Sequence, residues 1–184
     1  MGRTNSCGMY EDGSVECWGD NSNDISTIPA VSDISEVALG YEDTCIIYGS
    51  DNTIECWGAN FDSSMDDYNG ATGYQNIDVS YRHACAQEIT TGEVHCWGAL
   101  NKGAINDSVL NFNMGTSTDH YIGIYSATEE AFTKGNNQFG ELLIPSGSWS
   151  YLVTETAHSC GIRRNGAIQC WGNNTYGETV VPEL

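Results

Sequence analysis

Basic residues are scarce. Lys and Arg together number 6 against 25 Asp and Glu in 184 residues, a formal net charge of −19. That balance excludes sequence-independent binding to nucleic acid or to an anionic membrane, because both need basic patches. It favours solubility and cation binding. No apolar run reaches the roughly eighteen residues of a membrane-spanning helix, and Met1 to Ser6 contain no apolar run of the kind that opens a signal peptide. No segment carries the apolar spacing of an amphipathic helix, which excludes a helical bundle. The Gly-x-Ser-x-Gly, His-Glu-x-x-His and phosphate-loop patterns are missing too, and with them the common signatures of serine hydrolases, zinc proteases and nucleotide hydrolases. What the chain does have is 21 Gly and 10 Tyr, the make-up of a turn-rich all-β protein.

The organising stretch is His158-Ser159-Cys160-Gly161-Ile162-Arg163-Arg164-Asn165-Gly166-Ala167-Ile168-Gln169-Cys170-Trp171-Gly172. Alternating side chains flank Asn165-Gly166, a strong hairpin signal. A three-residue loop with Gly166 in the left-handed position sets Arg163 opposite Ala167 and Cys160 opposite Cys170. Cross-strand neighbours are close enough to form a disulfide. The predicted unit is a stapled hairpin ending in Trp-Gly.

The same unit recurs at 7–19, 45–58 and 85–98, and in a degenerate form at 122–135, where Ile122 and Thr133 occupy the cysteine positions. Both cysteines are lost together there, as pairing within each copy requires. The period is about 38 residues. In the second and third copies a four-residue loop (49–52 and 89–92) again sets the cysteines opposite one another. After Trp-Gly comes a polar turn, often followed by an apolar pair and Pro, as in Ile28-Pro29, Ile144-Pro145 and Val181-Pro182. A further strand precedes each later hairpin, at 36–40, 76–80, 110–116 and 149–153. About four short strands per repeat predict an all-β fold, a propeller of five short four-stranded blades spanning residues 1–184 as one domain.

The pattern His-Ser-Cys…Asn-Gly…Cys-Trp-Gly-Asn-Asn-x-x-Gly-Glu resembles the regulator-of-chromosome-condensation (RCC1) repeat in the cysteine-bearing form of bacterial secreted proteins. It is also similar to the short-bladed propeller that inhibits β-lactamases. The resemblance covers nearly the whole chain and implies a propeller that binds other macromolecules through loops on one face. Family members usually have seven blades, and this chain has five units. The nuclear members promote nucleotide exchange on a small GTPase in a compartment where disulfides are not expected, so that activity is not carried over.

Repeat geometry selects Cys7–Cys17, Cys45–Cys56, Cys85–Cys96 and Cys160–Cys170, each worth about 2–3 kcal/mol by the chain-entropy model. The rival is a tetrahedral zinc set of His83, Cys85, His95 and Cys96, a combination found in one repeat only. His83, His120 and His158 lie two residues before the first cysteine position, where Asn5 and Asp43 stand in the other copies. A residue repeated around a ring points to architecture, here a hydrogen-bonding side chain that holds the turn into the hairpin. Trp18, Trp57, Trp97 and Trp171 are expected to pack between blades, and Trp149 lies outside that register. Asp20 to Asp24 alternate oxygen ligands as a calcium loop does but lack its Gly and Glu. Asp62 to Asp67 read as a solvated loop. Asn106 and Asn173 head glycosylation acceptor sequences. No catalytic, cofactor-binding or metal-binding residue is assigned, and calcium is the only ion the acidic clusters suggest.

These readings predict a noncatalytic, secreted or cell-surface module that recognises a protein or glycan through loops, especially 60–74 and 100–113, with neither nucleic acid nor membrane insertion. The alternative is a self-assembling extracellular structural protein, a filament or surface layer, because five hairpins are accompanied by only four preceding strands and an unpaired edge templates another chain. Full pairing of the eight cysteines is expected to show as a gain of about 8 daltons in intact mass on reduction, with peptide mapping recovering only within-repeat pairs. Free thiols in native material would refute the stapled-hairpin scheme.

Overall fold

The computed structural model describes residues 5–59, 64–80, 83–98, 120–124, 128, 130–135, 137–154 and 157–182. Backbone contacts divide the chain into two compact units, Met1–Leu100 with Asn106–Ser108, and Asn101–Ile105 with Val109–Leu184. Thirteen strands and two short 3₁₀ turns make up the regular structure of the described residues. The predicted strand at 110–116, the loop at 100–113 and Asn106 lie outside them, as do residues 60–63 of the loop at 60–74.

The first unit holds the hairpin β1 (Asn5–Met9) and β2 (Val15–Gly19), then two three-stranded antiparallel sheets. One sheet is β3 (Ile34–Leu39), β4 (Asp43–Tyr48) and β5 (Thr53–Gly58). The other is β6 (Tyr74–Val79), β7 (His83–Glu88) and β8 (Val94–Gly98). The second unit holds the hairpin β9 (His120–Ile124) and β10 (Ala131–Gly135). Its three-stranded sheet is β11 (Trp149–Thr154), β12 (His158–Arg163) and β13 (Ile168–Gly172). The hairpin registers follow from loop length. Cys7 faces Cys17, Cys45 faces Cys56, Cys85 faces Cys96, Ile122 faces Thr133 and Cys160 faces Cys170. All four cysteine pairs are bonded, their Cα atoms 4.0 or 4.1 Å apart.

Among the described residues no regular strand takes the fourth place in a sheet. In the second repeat the segment 69–71 fills it. Asn69 uses its side-chain amide to bind both the N–H and the C=O of Cys56, and Ile54 exchanges backbone bonds with Gly70 and Ala71. In the first, fourth and fifth repeats a polar turn follows the hairpin's closing Gly instead, and its side chains take up amides a ladder would need. Asn21, Asn137 and Asn174 each accept through Oδ1 from a backbone N–H five residues on, at 2.8, 2.9 and 3.1 Å. Asx side chains compete with sheet pairing in this way, and the following proline has no N–H to offer.

The next hairpin grips that turn. The carbonyl of Ile25 accepts from Thr44 Oγ1 at 2.7 Å, and Trp57 Nε1 donates to the carbonyl of Asp24. In the second unit Ser159 Oγ (2.7 Å) and Trp171 Nε1 (2.9 Å) both donate to the carbonyl of Glu141. Thr44 faces Trp57 and Ser159 faces Trp171 across their hairpins, so one cross-strand pair supplies both donors. In a further link, Glu36 accepts from the backbone N–H groups of Asn76 and Ile77, where β6 shifts register. Apolar packing completes each unit. Ile47, Ile54, Val79, Ala84 and Trp97 share one core, and Ile122, Trp149, Leu152 and Trp171 share the other.

The Gly of Trp-Gly is fixed by space and backbone. Gly58 and Gly172 have φ of 135° and 107°, and a Cβ on Gly172 would stand 2.6 Å from the carbonyl oxygen of Ala157. Gly166 also has positive φ, 86°, but open space around it. Gly172→Ala is therefore expected to cost about 1–3 kcal/mol from backbone strain alone, and more from the clash. Gly166→Asn should be nearly silent, since Asn tolerates the left-handed region. Paired thermal melts check this, and equal losses would contradict it.

Candidate functional site

The residues singled out in the sequence go largely to architecture. All eight cysteines are in disulfides, so Cys85 and Cys96 have no thiolates to offer beside His83 and His95. At the position two before the first cysteine the backbone takes part in closing the turn. The carbonyls of Asp43 and His83 accept from the N–H groups of Gly40 and Ser80 at 2.8 Å. Asn5, at that position in the first copy, has its Nδ2 3.5 Å from Ser26 Oγ. The side chain of His120 lies outside the described residues. Asp20 and Asn173 each cap their own turn, accepting from the N–H and hydroxyl of the residue two on. Trp149 is a core residue packed against Trp171 with the Arg163 guanidinium 4.1 Å over its ring.

Trp18 departs from its expected role. Trp97 and Trp171 are 3% and 9% exposed, whereas Trp18 is 57% exposed. Its indole lies over Gly8 on the face it shares with Glu16 and the exposed Tyr10, while the exposed Met9 stands on the opposite face with Val15. Tyr10 is held by a 2.7 Å bond to Glu16, and the same bond and charge raise its phenol pKa. The result is an apolar and aromatic surface rimmed by acid.

A second surface is an open groove of about 470 Å³ in the second unit, lined by Glu130, Ala131, Ile144, Pro145, Ser148 and Trp149. The guanidinium of Arg163 braces its wall by donating to the carbonyl of Ser146 and to Gln169 Oε1.

The third is one face of the β7–β8 hairpin. Side chains two apart in a strand share a face. Cross-strand pairing therefore stacks Ala84 with Trp97, Ala86 with His95, and Glu88 with Glu93, running from core to rim. Tyr68, from the 3₁₀ turn Ser64–Tyr68, stacks on Trp97 at 4.5 Å and places its hydroxyl 3.2 Å from His95 Nδ1. Tyr74 meets His95 edge-on, and burial raises its phenol pKa. His95 Nε2 is left 3.8 Å from Glu88 and 3.9 Å from Glu93. Sequence reasoning missed this meeting, which needs two strand positions and a 3₁₀ turn brought together. The usable signal was the two-residue spacing of Glu93 and His95 opposite Glu88.

Comparison with known proteins supports the fold. The family model described as the regulator of chromosome condensation (RCC1) repeat matches residues 157–178, the fifth hairpin and its turn. The entire ectodomain of the Physcomitrella patens receptor kinase CR4 is similar over 97% of this chain and 52% of that one, with a TM-score of 0.76 and 22% identity. The CRINKLY WD40 ectodomain of the Arabidopsis thaliana receptor kinase ACR4 is similar over 100% of this chain and 66% of that one, with a TM-score of 0.74 and 21% identity. Prp20p of Saccharomyces cerevisiae, described with its binding properties to Gsp1p and histones, is similar over 92% of this chain and 56% of that one, with a TM-score of 0.72 and 14% identity. The fold is thus an RCC1-like repeat propeller, and the chain spans between about half and two thirds of the length of these structures.

Hydroxyls of Thr91 and Thr90, with the nearby His95, hold the Glu88 carboxyl below its ordinary pKa. A depressed carboxyl contributes stability that is present above the unfolded value of about 4.3 and lost as pH falls through the folded one. Thr91→Val is expected to move the Glu88 titration upward, read by carbon NMR of its carboxyl. An unchanged midpoint would remove Thr91 as the cause.

Proposed function

We propose that this chain is a noncatalytic protein-interaction module that works in an oxidising, extracellular setting. The observation that carries the reading is the exposed Tyr10 and Trp18 surface of the first hairpin. Large aromatic side chains at a solvent face are the usual anchors of protein interfaces. The four disulfides support the oxidising compartment. Among the described residues no helix is long and apolar enough to cross a membrane.

A net charge of −19 favours a partner whose contact surface is basic at its rim and apolar at its centre, with a salt-sensitive association rate. The similar structures include two receptor ectodomains and a protein whose description names Gsp1p and histones as what it binds, which fits protein recognition as the task of the fold. The groove beside Trp149 is the place for a glycan if sugar rather than protein is recognised.

Self-assembly is the second reading, and one observation favours it. The turn after the fifth hairpin has the same Asx-capped form as the two turns that following hairpins grip. Ser6 and Trp18 face each other at the gripping positions of the first hairpin. A second copy could place its 173–182 turn there.

The test takes the partner recovered from native material and measures its binding to the wild type and to Trp18→Ala. The variant is expected to bind at least about tenfold more weakly, as loss of an aromatic anchor does, with an unchanged melting temperature. Equal binding by both proteins would refute the first-hairpin surface. A mass that rises with concentration and falls back to monomer in Trp18→Ala would instead select self-assembly.

A further inference from the structure

The face formed by His95, Glu88 and Glu93 has the donor chemistry of a metal site. One imidazole nitrogen and two carboxylate oxygens lie within 4.8 Å of one another. His95 Nε2 is shielded from solvent and has no hydrogen-bond partner, although the side chain as a whole is about one-third exposed. A solvent-shielded ring nitrogen without a partner is costly, and its two nearest acids stand too far off for a hydrogen bond.

Those same separations suit an ion placed between the groups. With bonds of about 2.0–2.2 Å, tetrahedral geometry sets neighbouring donors about 3.3–3.5 Å apart. The observed 3.8 and 3.9 Å need a contraction of roughly half an ångström, within the reach of two partly exposed glutamate side chains.

The surroundings are those that tune metal ligands. Tyr68 Oη, 3.2 Å from Nδ1, accepts the ring proton when His95 is the Nδ1–H tautomer, which leaves the Nε2 lone pair facing the acids. An outer partner on the second ring nitrogen is the usual arrangement of ligating histidines. Stacking of Tyr68 on Trp97 and the edge contact of Tyr74 fix the ring plane. Thr90 and Thr91 orient the Glu88 carboxylate. No cysteine takes part, so the site is compatible with the Cys85–Cys96 disulfide that removes the zinc set considered from sequence.

We propose that His95 Nε2, Glu88 and Glu93 bind a divalent first-row transition ion, zinc above all, at the rim of the third hairpin, with Tyr68 as the positioning residue. One imidazole with carboxylates favours such ions over calcium, which takes an all-oxygen shell. Both acids are partly exposed, 33% and 40%, which leaves a coordination position open to water or to an acidic group of another molecule.

The test uses the tag-free full chain, with disulfides intact, titrated with zinc chloride at pH 7.5 by calorimetry. Nitrogen NMR of His95 is followed in parallel. One equivalent of zinc is expected to bind, with the shift change at Nε2 and not Nδ1, and millimolar calcium should not displace it. Glu93→Gln and His95→Gln are each expected to weaken binding by at least about tenfold, and Tyr68→Phe by about tenfold as outer partners do. Circular dichroism confirms that each variant is folded, and Glu93→Gln at the exposed rim keeps the test decisive if His95→Gln is not. No binding at millimolar zinc, or an isotherm unchanged in Glu93→Gln, overturns the proposal. So does zinc coordination that leaves the His95 resonances unmoved.

Discussion

The backbone carbonyls of Ile25 and Glu141, in the turns after the first and fourth hairpins, have no strand to pair with, and the structure depends on where they find their donors. In both units the donors come from the following hairpin. A hydroxyl on one strand and an indole on the other converge on the turn at Ile25 or Glu141. Ile25, Thr44, Glu141, Ser159 and Trp171 are buried, so removing the Thr44 or Ser159 donor leaves an unsatisfied carbonyl in the interior, the expensive direction of hydrogen-bond loss. Neighbouring repeats are thereby coupled by directional bonds as well as by apolar packing, which sets their order in a way that greasy contact alone would not.

Hairpin registers were legible in the sequence because they rest on local rules. Loop length and a turn Gly dictate which residues face each other, and the cysteine positions follow. The degenerate copy obeyed the same rule without cysteines. The outer edge of each sheet was less legible. Asn69, Asn21 and Asn137 read as loop polars, yet they stand in for ladder partners. Trp18 and Trp171 share the Cys-Trp-Gly context, and their different exposure depends on what lies against them, which no local pattern encodes. Trp149 looked irregular only because its role belongs to the first strand of its sheet. The His95 face was hidden because it needed two strand positions and a 3₁₀ turn brought together.

The cysteines are taken up by disulfides, and Asp20 and Asn173 by turn caps. Surfaces that vary between the copies are left to carry function: an aromatic hairpin face, a groove beside a braced tryptophan, and an imidazole–carboxylate rim. They sit on strands and capped turns, where disulfides and Asx bonds limit movement. A binding surface held in this way loses little conformational entropy on association.

The position of the staples has a mechanical consequence. Every disulfide closes within one hairpin, across sequence separations of only 10 or 11 residues, and none ties one repeat to another. At about 3.4 Å per extended residue, each hides roughly 35 Å of contour from a pulling force. The chain under load would therefore pay out most of its length blade by blade while each stapled knot stayed shut. Such a chain would keep its hairpins closed under load and lengthen between them.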